Sequence, residues 1–208
     1  MLQTQTVEPG TLSLLEKLMD IPGLRSFGLV GGTALALKFS HRISVDLDLF
    51  SNERFENVTI ENSLTRVFGS DFENRTSTPM FGVFCFIEGI KVDLIRYSHP
   101  LIRPSETIAD IRMYSNEDII ALKVQAILGR AKKKDFWDVA ELLKHYMVKD
   151  FIDFHQEKFS TQNLPISVPQ AIYYFSDAEE SEDPVSLKGQ TWTKFQKLIQ
   201  KKVAEYLL

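Results

Sequence analysis

A glycine turn, Gly31-Gly32-Thr33, is followed by Ser44-Val45-Asp46-Leu47-Asp48-Leu49-Phe50, and this pairing confines the chain to a narrow set of folds. Phe27 to Val30 reads as a short strand entering the glycines, Thr33 to Phe39 as a helix leaving them, and Val45 to Phe50 as an alternating strand. Glycine lets a backbone approach a ligand closely. The first turn of a helix adds unpaired amides and the positive dipole end, which together suit a phosphate. Residues two apart on a strand share a face, so Asp46 and Asp48 point one way while Val45, Leu47 and Leu49 point the other. With Cα atoms about 6–7 Å apart, both carboxylates can converge on one cation. Magnesium is the natural one, a hard ion that takes carboxylate and phosphate oxygens together. Each half alone has a plainer explanation, a simple strand-to-helix turn or a charged edge strand. The combination is more specific, and with no Gly-Lys-Ser/Thr after the turn it is not a P-loop.

A hairpin signal follows at Phe81 to Ile87 and Ile90 to Tyr97, two stretches rich in β-branched and aromatic residues joined at Glu88-Gly89. Asp93 alternates there with Val92 and Leu94. If its strand neighbours Val45 to Phe50, Asp93 completes a three-carboxylate cluster able to hold a second metal about 4 Å from the first and to take the proton of an attacking hydroxyl. The alternative is a surface aspartate paired with Lys91 or a nearby arginine. Ser115-Asn116-Glu117-Asp118 reads as a capping box with Asp in place of Glu, opening a helix to about Leu128. Its apolar arc (Ile119, Ile120, Leu122, Ala126, Ile127) also contains Lys123 and Arg130, seven apart and on one face. Burying two cations is costly unless an anion faces them, and a triphosphate or the group Asp46, Asp48 and Asp93 would serve. Snorkelling into water is the alternative. The next helix, about Asp135 to Tyr146, projects Asp135 into its apolar face, where it either orients Lys123 or Arg130 or simply complements the helix dipole. Asp138 falls nearer the rim.

Thr11 is a candidate cap for a first helix carrying Leu12, Leu15, Leu18 and Met19, stopped by Pro22-Gly23. Beyond Pro104 the chain turns helical: Ile152 to Phe159, Pro169 to Phe175, and Trp192 to Leu207 with Trp192, Phe195, Ile199 and Val203 in one stripe. Asp177 to Pro184 is an acidic loop. Two parts are expected, an α/β core over residues 1–110 and a helical part over 111–208. Hydrophobic residues at 44% and charged ones at 25% exclude disordered and collagen-like classes. Apolar runs are broken by charge, and Met1 to Gly10 lacks a signal-peptide order, so the expected address is cytoplasmic, with no membrane partner. The lone Cys85 excludes an internal disulfide, and the four histidines lack metal-ligand spacing. A net charge of −4 gives no global footprint for nucleic acid. Arg130-Ala131-Lys132-Lys133-Lys134 is nonetheless a local basic cluster, or a solvated helix end.

Gly31-Gly32-Thr33, Arg42-x-Ser44-x-Asp46-x-Asp48-x-Phe50, Asp93, and Lys123 and Arg130 followed by Lys134-Asp135 and Asp138 together resemble the AbiEii/AbiGii toxin family of nucleotidyltransferases, over roughly Gly28 to Leu143. The resemblance implies the nucleotidyltransferase fold of the DNA polymerase β superfamily, an α/β (α+β) fold with a small mixed sheet flanked by helices, plus a C-terminal helical part. It implies Asp46 and Asp48 as metal ligands with Asp93 as the third carboxylate, and Gly31, Gly32 and Thr33 at the triphosphate. Lys123 would contact a phosphate or the transition state with Asp135 beside it, Arg130 would add a nucleotide contact, and Arg42 and Ser44 would shape the loop and touch the nucleotide. The implied reaction moves a nucleoside monophosphate from an NTP to an acceptor hydroxyl with magnesium, or manganese in its place, releasing pyrophosphate. RNA such as tRNA is the implied acceptor and an antitoxin protein the implied partner. A small-molecule acceptor and a non-catalytic nucleotide- or partner-binding module are the alternatives. The chain departs from the family where a second aromatic often follows the acidic pair, and Ser176 to Gly189 matches no motif, which leaves the acceptor open.

Overall fold

The computed structural model describes residues 1–76 and 81–208. In chain order the elements are α1 (Pro9–Asp20), β1 (Gly28–Leu29), α2 (Gly31–Phe39), β2 (Leu47–Ser51), α3 (Asn57–Phe68), β3 (Phe72–Asn74), β4 (Gly82–Ile87), β5 (Ile90–Arg96), β6 (Glu106–Ile108), β7 (Ile111–Met113), α4 (Asn116–Gly129), α5 (Lys133–Leu142), α6 (Val148–Lys158), α7 (Val168–Tyr173) and α8 (Trp192–Leu207). Seven strands form one mixed sheet in the order β3-β4-β5-β2-β1-β7-β6. The expected hairpin is β4–β5, antiparallel with Ile87 opposite Ile90. β2 lies parallel to β5, and β1 parallel to β7.

The central strands bury one face and open the other. Leu47, Leu49, Val92 and Leu94 are at most 1% exposed, while Asp48 and Phe50 alternate to the opposite side. That period-two split puts the acidic residues on the face turned away from the most densely packed apolar layer. α3 packs against β3 and β4, and α1 against β7. The later helices form a second group, with α4 touching α2, α5, α6 and α7, and α5 packing on α8. The stripe Trp192, Phe195, Ile199 and Val203 is the buried face of α8, as its spacing predicts. Among the described residues, no helix is long and apolar enough to cross a membrane.

Several local readings are corrected. α1 starts at Pro9 after Glu8, so Thr11 is an interior first-turn residue, because proline's fixed φ suits the first helical position. β2 starts at Leu47, which leaves Asp46 in the loop before it, and Val45 is 53% exposed instead of facing the core. Ser115 does cap α4, accepting from Asp118 N at 3.1 Å. The Asp118 carboxylate does not return to the cap backbone. It is fully buried, accepts from Ile102 N at 3.0 Å and Ser115 Oγ at 2.7 Å, and pairs at 2.7 Å with Lys158, itself fully buried. This pair ties the chain after β5 to α4 and α6. Residue 110 lies in the turn of the β6–β7 hairpin, and one apolar core joins residues from both sides of it, from Val7 to Val203.

Candidate functional site

β1 delivers the chain to the glycine turn, and β2 carries the acids back beside it. Val30 N donates to the Asp48 carbonyl at 2.9 Å, which locks turn and strand together. Gly31 has φ +70°, a left-handed conformation that L side chains resist, and a Cβ there would come within 3.0 Å of Asp48 Oδ2. No side chain caps α2, so its first amides have no side-chain partner, and its first residue, Gly31, lies beside the Asp48 carboxylate. Thr33 acts through the loop: its hydroxyl donates to the Asp46 carbonyl at 2.5 Å and lies 2.9 Å from Ser44 Oγ.

The condition set for Asp93 is met, because β2 and β5 are neighbours and Asp48 stands opposite Asp93 in register. Burial, and then the charge of Asp93, push the Asp48 carboxyl above the ordinary carboxylate range. Asp93 Oδ1 is buried without a hydrogen-bond partner, while Oδ2 pairs with Lys91. Asp46 is half-buried, with Lys134 Nζ 3.6 Å away. Two lysines thus offset part of the acidic charge. Among the described residues, no group of three or more His, Cys, Asp or Glu side chains forms a ready-made metal nest, so the expected three-carboxylate cluster is not preassembled. The donor set still suits a hard cation: an orphaned carboxylate oxygen beside a second carboxylate that resists ionisation, next to amides able to hold the phosphates that supply the remaining oxygens.

Lys123 and Arg130 both meet Asp135, as one reading of the next helix expects, and Lys123 gains Asp138 as a second anion. Lys123 is 5% exposed and pairs with Asp138 at 2.5 Å and Asp135 at 3.2 Å, and Arg130 binds Asp135 through Nε at 3.0 Å and Nη2 at 2.9 Å. The orientation of Lys123 and Arg130 by Asp135 is therefore present. Asp138 is not at the rim; it is fully buried and central. It accepts from Arg42 Nε at 2.7 Å and Nη2 at 3.0 Å, and lies 2.6 Å from His41 Nε2. Burial opposes its ionisation, but Arg42 and Lys123 together hold its carboxyl well below the usual range. Burial alone would depress Lys123; Asp138 and then Asp135 outweigh it, and its pKa is raised. The network closes on Gly32, where a Cβ would sit 1.8 Å from Arg42 Nη2.

A cleft of about 380 Å³ between this face of the sheet and α4 gathers nearly all of these groups. Gly31, Gly32, Thr33, Arg42, Ser44, Asp46, Asp48, Asp93, Lys123 and Arg130 line it, and Asp135 stands behind Lys123. Phe50 and Lys134, motif residues without an assigned role, line it too, as do Tyr97 and Gln125, which the sequence reading does not single out. Lys134 belongs to the basic run and to the Lys134-Asp135 motif and Phe50 closes the acidic motif, whereas Tyr97 and Gln125 carry no sequence signal of their own. A larger cavity of about 1440 Å³, bordered by α6, α7 and α8, contains none of the predicted groups.

A strap from the far end of the chain holds the loop that carries Arg42. Arg42 forms a β-bridge to Ser186, Ile43 N donates to Val185 O at 2.9 Å, and Leu187 N to His41 O at 3.2 Å. The motif-free region thus has a structural task.

Known proteins resemble this chain in sequence and fold. The "Uncharacterized protein aq_aa25" of Aquifex aeolicus (strain VF5) is 27% identical over 199 residues, 93% of this chain and 94% of that one. MenT4, described as nucleotidyltransferase toxin Rv2826c from Mycobacterium tuberculosis H37Rv, superimposes with a TM-score of 0.62 at 15% identity, covering 92% of this chain and 82% of its own. A putative nucleotidyltransferase from H. pylori superimposes with a TM-score of 0.53 at 15% identity, covering 97% and 99%. At that identity the two structures speak for the fold. The model for the nucleotidyl transferase AbiEii toxin of type IV toxin–antitoxin systems matches residues 13–205, and the chain belongs to that family of nucleotidyltransferases.

Proposed function

We propose that this chain moves a nucleoside monophosphate from an NTP to an acceptor hydroxyl on RNA, such as tRNA, releasing pyrophosphate, as the toxin half of a pair with an antitoxin protein. The observation that carries this reading is the in-register pair Asp48 and Asp93, facing a cleft that also opens on the uncapped end of α2. Asp46, Asp48 and Asp93 would hold magnesium or manganese, which when bound would neutralise phosphate charge and polarise the α-phosphate. The α2 amides and the Gly31-Gly32 turn are suited to the leaving phosphates. Lys123, kept charged by Asp138 and Asp135, and Arg130 supply fixed positive charge where negative charge develops. The free oxygen of Asp93 is suited to receive the proton of the attacking hydroxyl. Arg42 and Ser44 support the loop that presents Asp46.

RNA as acceptor is supported by the basic run, since Arg130 and Lys134 border the cleft and Lys132 is exposed beside them. The test incubates the protein with each labelled NTP, magnesium and total bacterial RNA, with a parallel arm of small hydroxylated acceptors. Transfer to RNA that vanishes in Asp46→Asn and Asp48→Asn supports the proposal. Transfer confined to small acceptors, or none that depends on these two residues, overturns it.

A further inference from the structure

The cleft floor changes character along the two parallel strands. Asp48 and Asp93 face each other, and two residues on, still on the same face, Phe50 stands opposite Ile95. Tyr97 continues the β5 series and stacks on Phe50 with ring centroids 5.1 Å apart at 22°. Each two-residue step covers about 6–7 Å, comparable to the distance from the α-phosphate of a nucleotide to its base. A ligand with its phosphates at the acids therefore brings its base over Phe50, Ile95 and Tyr97. Gln125 of α4 lines the cleft, and its partner His155 packs on Phe159, whose ring meets Tyr97 edge-on with centroids 6.4 Å apart.

Gln125 turns its amide oxygen toward a histidine behind the cleft. His155, 3% exposed and packed on Phe159 with ring centroids 4.8 Å apart, places Nε2 3.2 Å from Gln125 Oε1. A carbonyl oxygen only accepts, so His155 Nε2 carries the hydrogen and donates it. The Gln125 oxygen is thereby engaged and its NH2 group is left to donate into the cleft. Burial lowers the His155 pKa, in keeping with a neutral ring that has one donor to give.

We propose that Gln125 reads the nucleobase of the bound NTP by donating a hydrogen bond to a base carbonyl, with His155 as its positioning residue, so that the site favours keto-bearing over amino-bearing bases. This rests on the NTP-binding reading above. Within one ring size the comparison is clean: uracil has a carbonyl where cytosine has an amine, and guanine has one where adenine has an amine. One neutral hydrogen bond gives a preference of roughly two- to tenfold.

The test is calorimetric titration of UTP, CTP, GTP and ATP with magnesium into the wild type, Gln125→Glu, Gln125→Met and His155→Phe, each first shown by circular dichroism to fold. The wild type is expected to bind UTP over CTP and GTP over ATP. Gln125→Glu, which presents an acceptor, is expected to reverse both preferences, and Gln125→Met to level them. His155→Phe frees the amide to turn and is expected to shrink the preference with weaker change in overall affinity. A wild type that binds NTPs with preferences unchanged in all three variants overturns the inference and leaves nucleotide transfer standing. A wild type that binds no NTP overturns both.

Discussion

Gly32 and Arg42 share one space: a side chain on residue 32 would begin 1.8 Å from Arg42 Nη2, and Arg42 cannot withdraw because Asp138 grips its guanidinium at two points. Gly32→Ala should therefore break the bidentate contact and shift the loop bearing Ser44 and Asp46. Transfer is expected to fall on the order of a hundredfold, the scale for misplacement by about an ångström. Stability should drop by about 1–3 kcal/mol. Side-by-side rate and melting measurements check both, and unchanged rates would show that Arg42 positions nothing.

Asp138→Asn should cost about 3–5 kcal/mol near neutral pH, because Arg42 and Lys123 would be left facing an uncharged group. The pH dependence has a definite sign. Arg42 and Lys123 hold the folded carboxyl well below its unfolded value near 3.8, so its contribution is complete above that value. It is lost as pH falls further toward the folded value. Urea titrations across this acid range should show the wild type weakening below about pH 4. The variant, lacking that carboxylate, should show a shallower decline.

For Asp48 the expected effects on activity and stability have opposite signs. Asp48→Asn removes a buried carboxylate whose ionisation is resisted by burial and by Asp93 opposite it. The melting temperature without divalent cation should rise, while transfer drops on the order of a hundredfold or more. Magnesium should raise the melting temperature of the wild type and not of the variant. An equal magnesium effect on both would remove Asp48 from the ligand set.

Lys158→Met should destabilise by about 3–5 kcal/mol, since it leaves Asp118 fully buried without its cation. Adding Asp118→Asn should recover part of that loss. Equilibrium unfolding of the two singles and the double checks the coupling, and strict additivity would contradict it.

The glycine turn, the acids and the hairpin were legible because each writes its geometry into a few adjacent residues. Leu47, Asp48, Leu49 and Phe50 show the period of a strand, though not where it begins, and Glu88-Gly89 shows a turn between two β-rich runs. The α3 segment and the three-residue strands β3, β6 and β7 left too little pattern to read, their pairing being decided by the sheet they join. Asp138 looked peripheral because helical projection ranks a residue against its own helix. Its burial comes from Arg42 and His41, almost a hundred residues earlier. For the same reason Asp135 is legible as a partner of Lys123 while Asp138, its second anion, is not.

The strap joining Val185–Leu187 to His41–Ile43 also bears on how the protein is made. A ribosome emits the chain from its N-terminus, so the glycine turn, both β2 acids and Asp93 emerge long before the residues that pin Arg42's loop. The parts that would bind NTP are thus translated early, and the brace that fixes them comes from the last segment before α8. Until Val185–Leu187 have emerged, the loop that carries Arg42 lacks these backbone contacts, so the order of synthesis separates the site's residues from their brace.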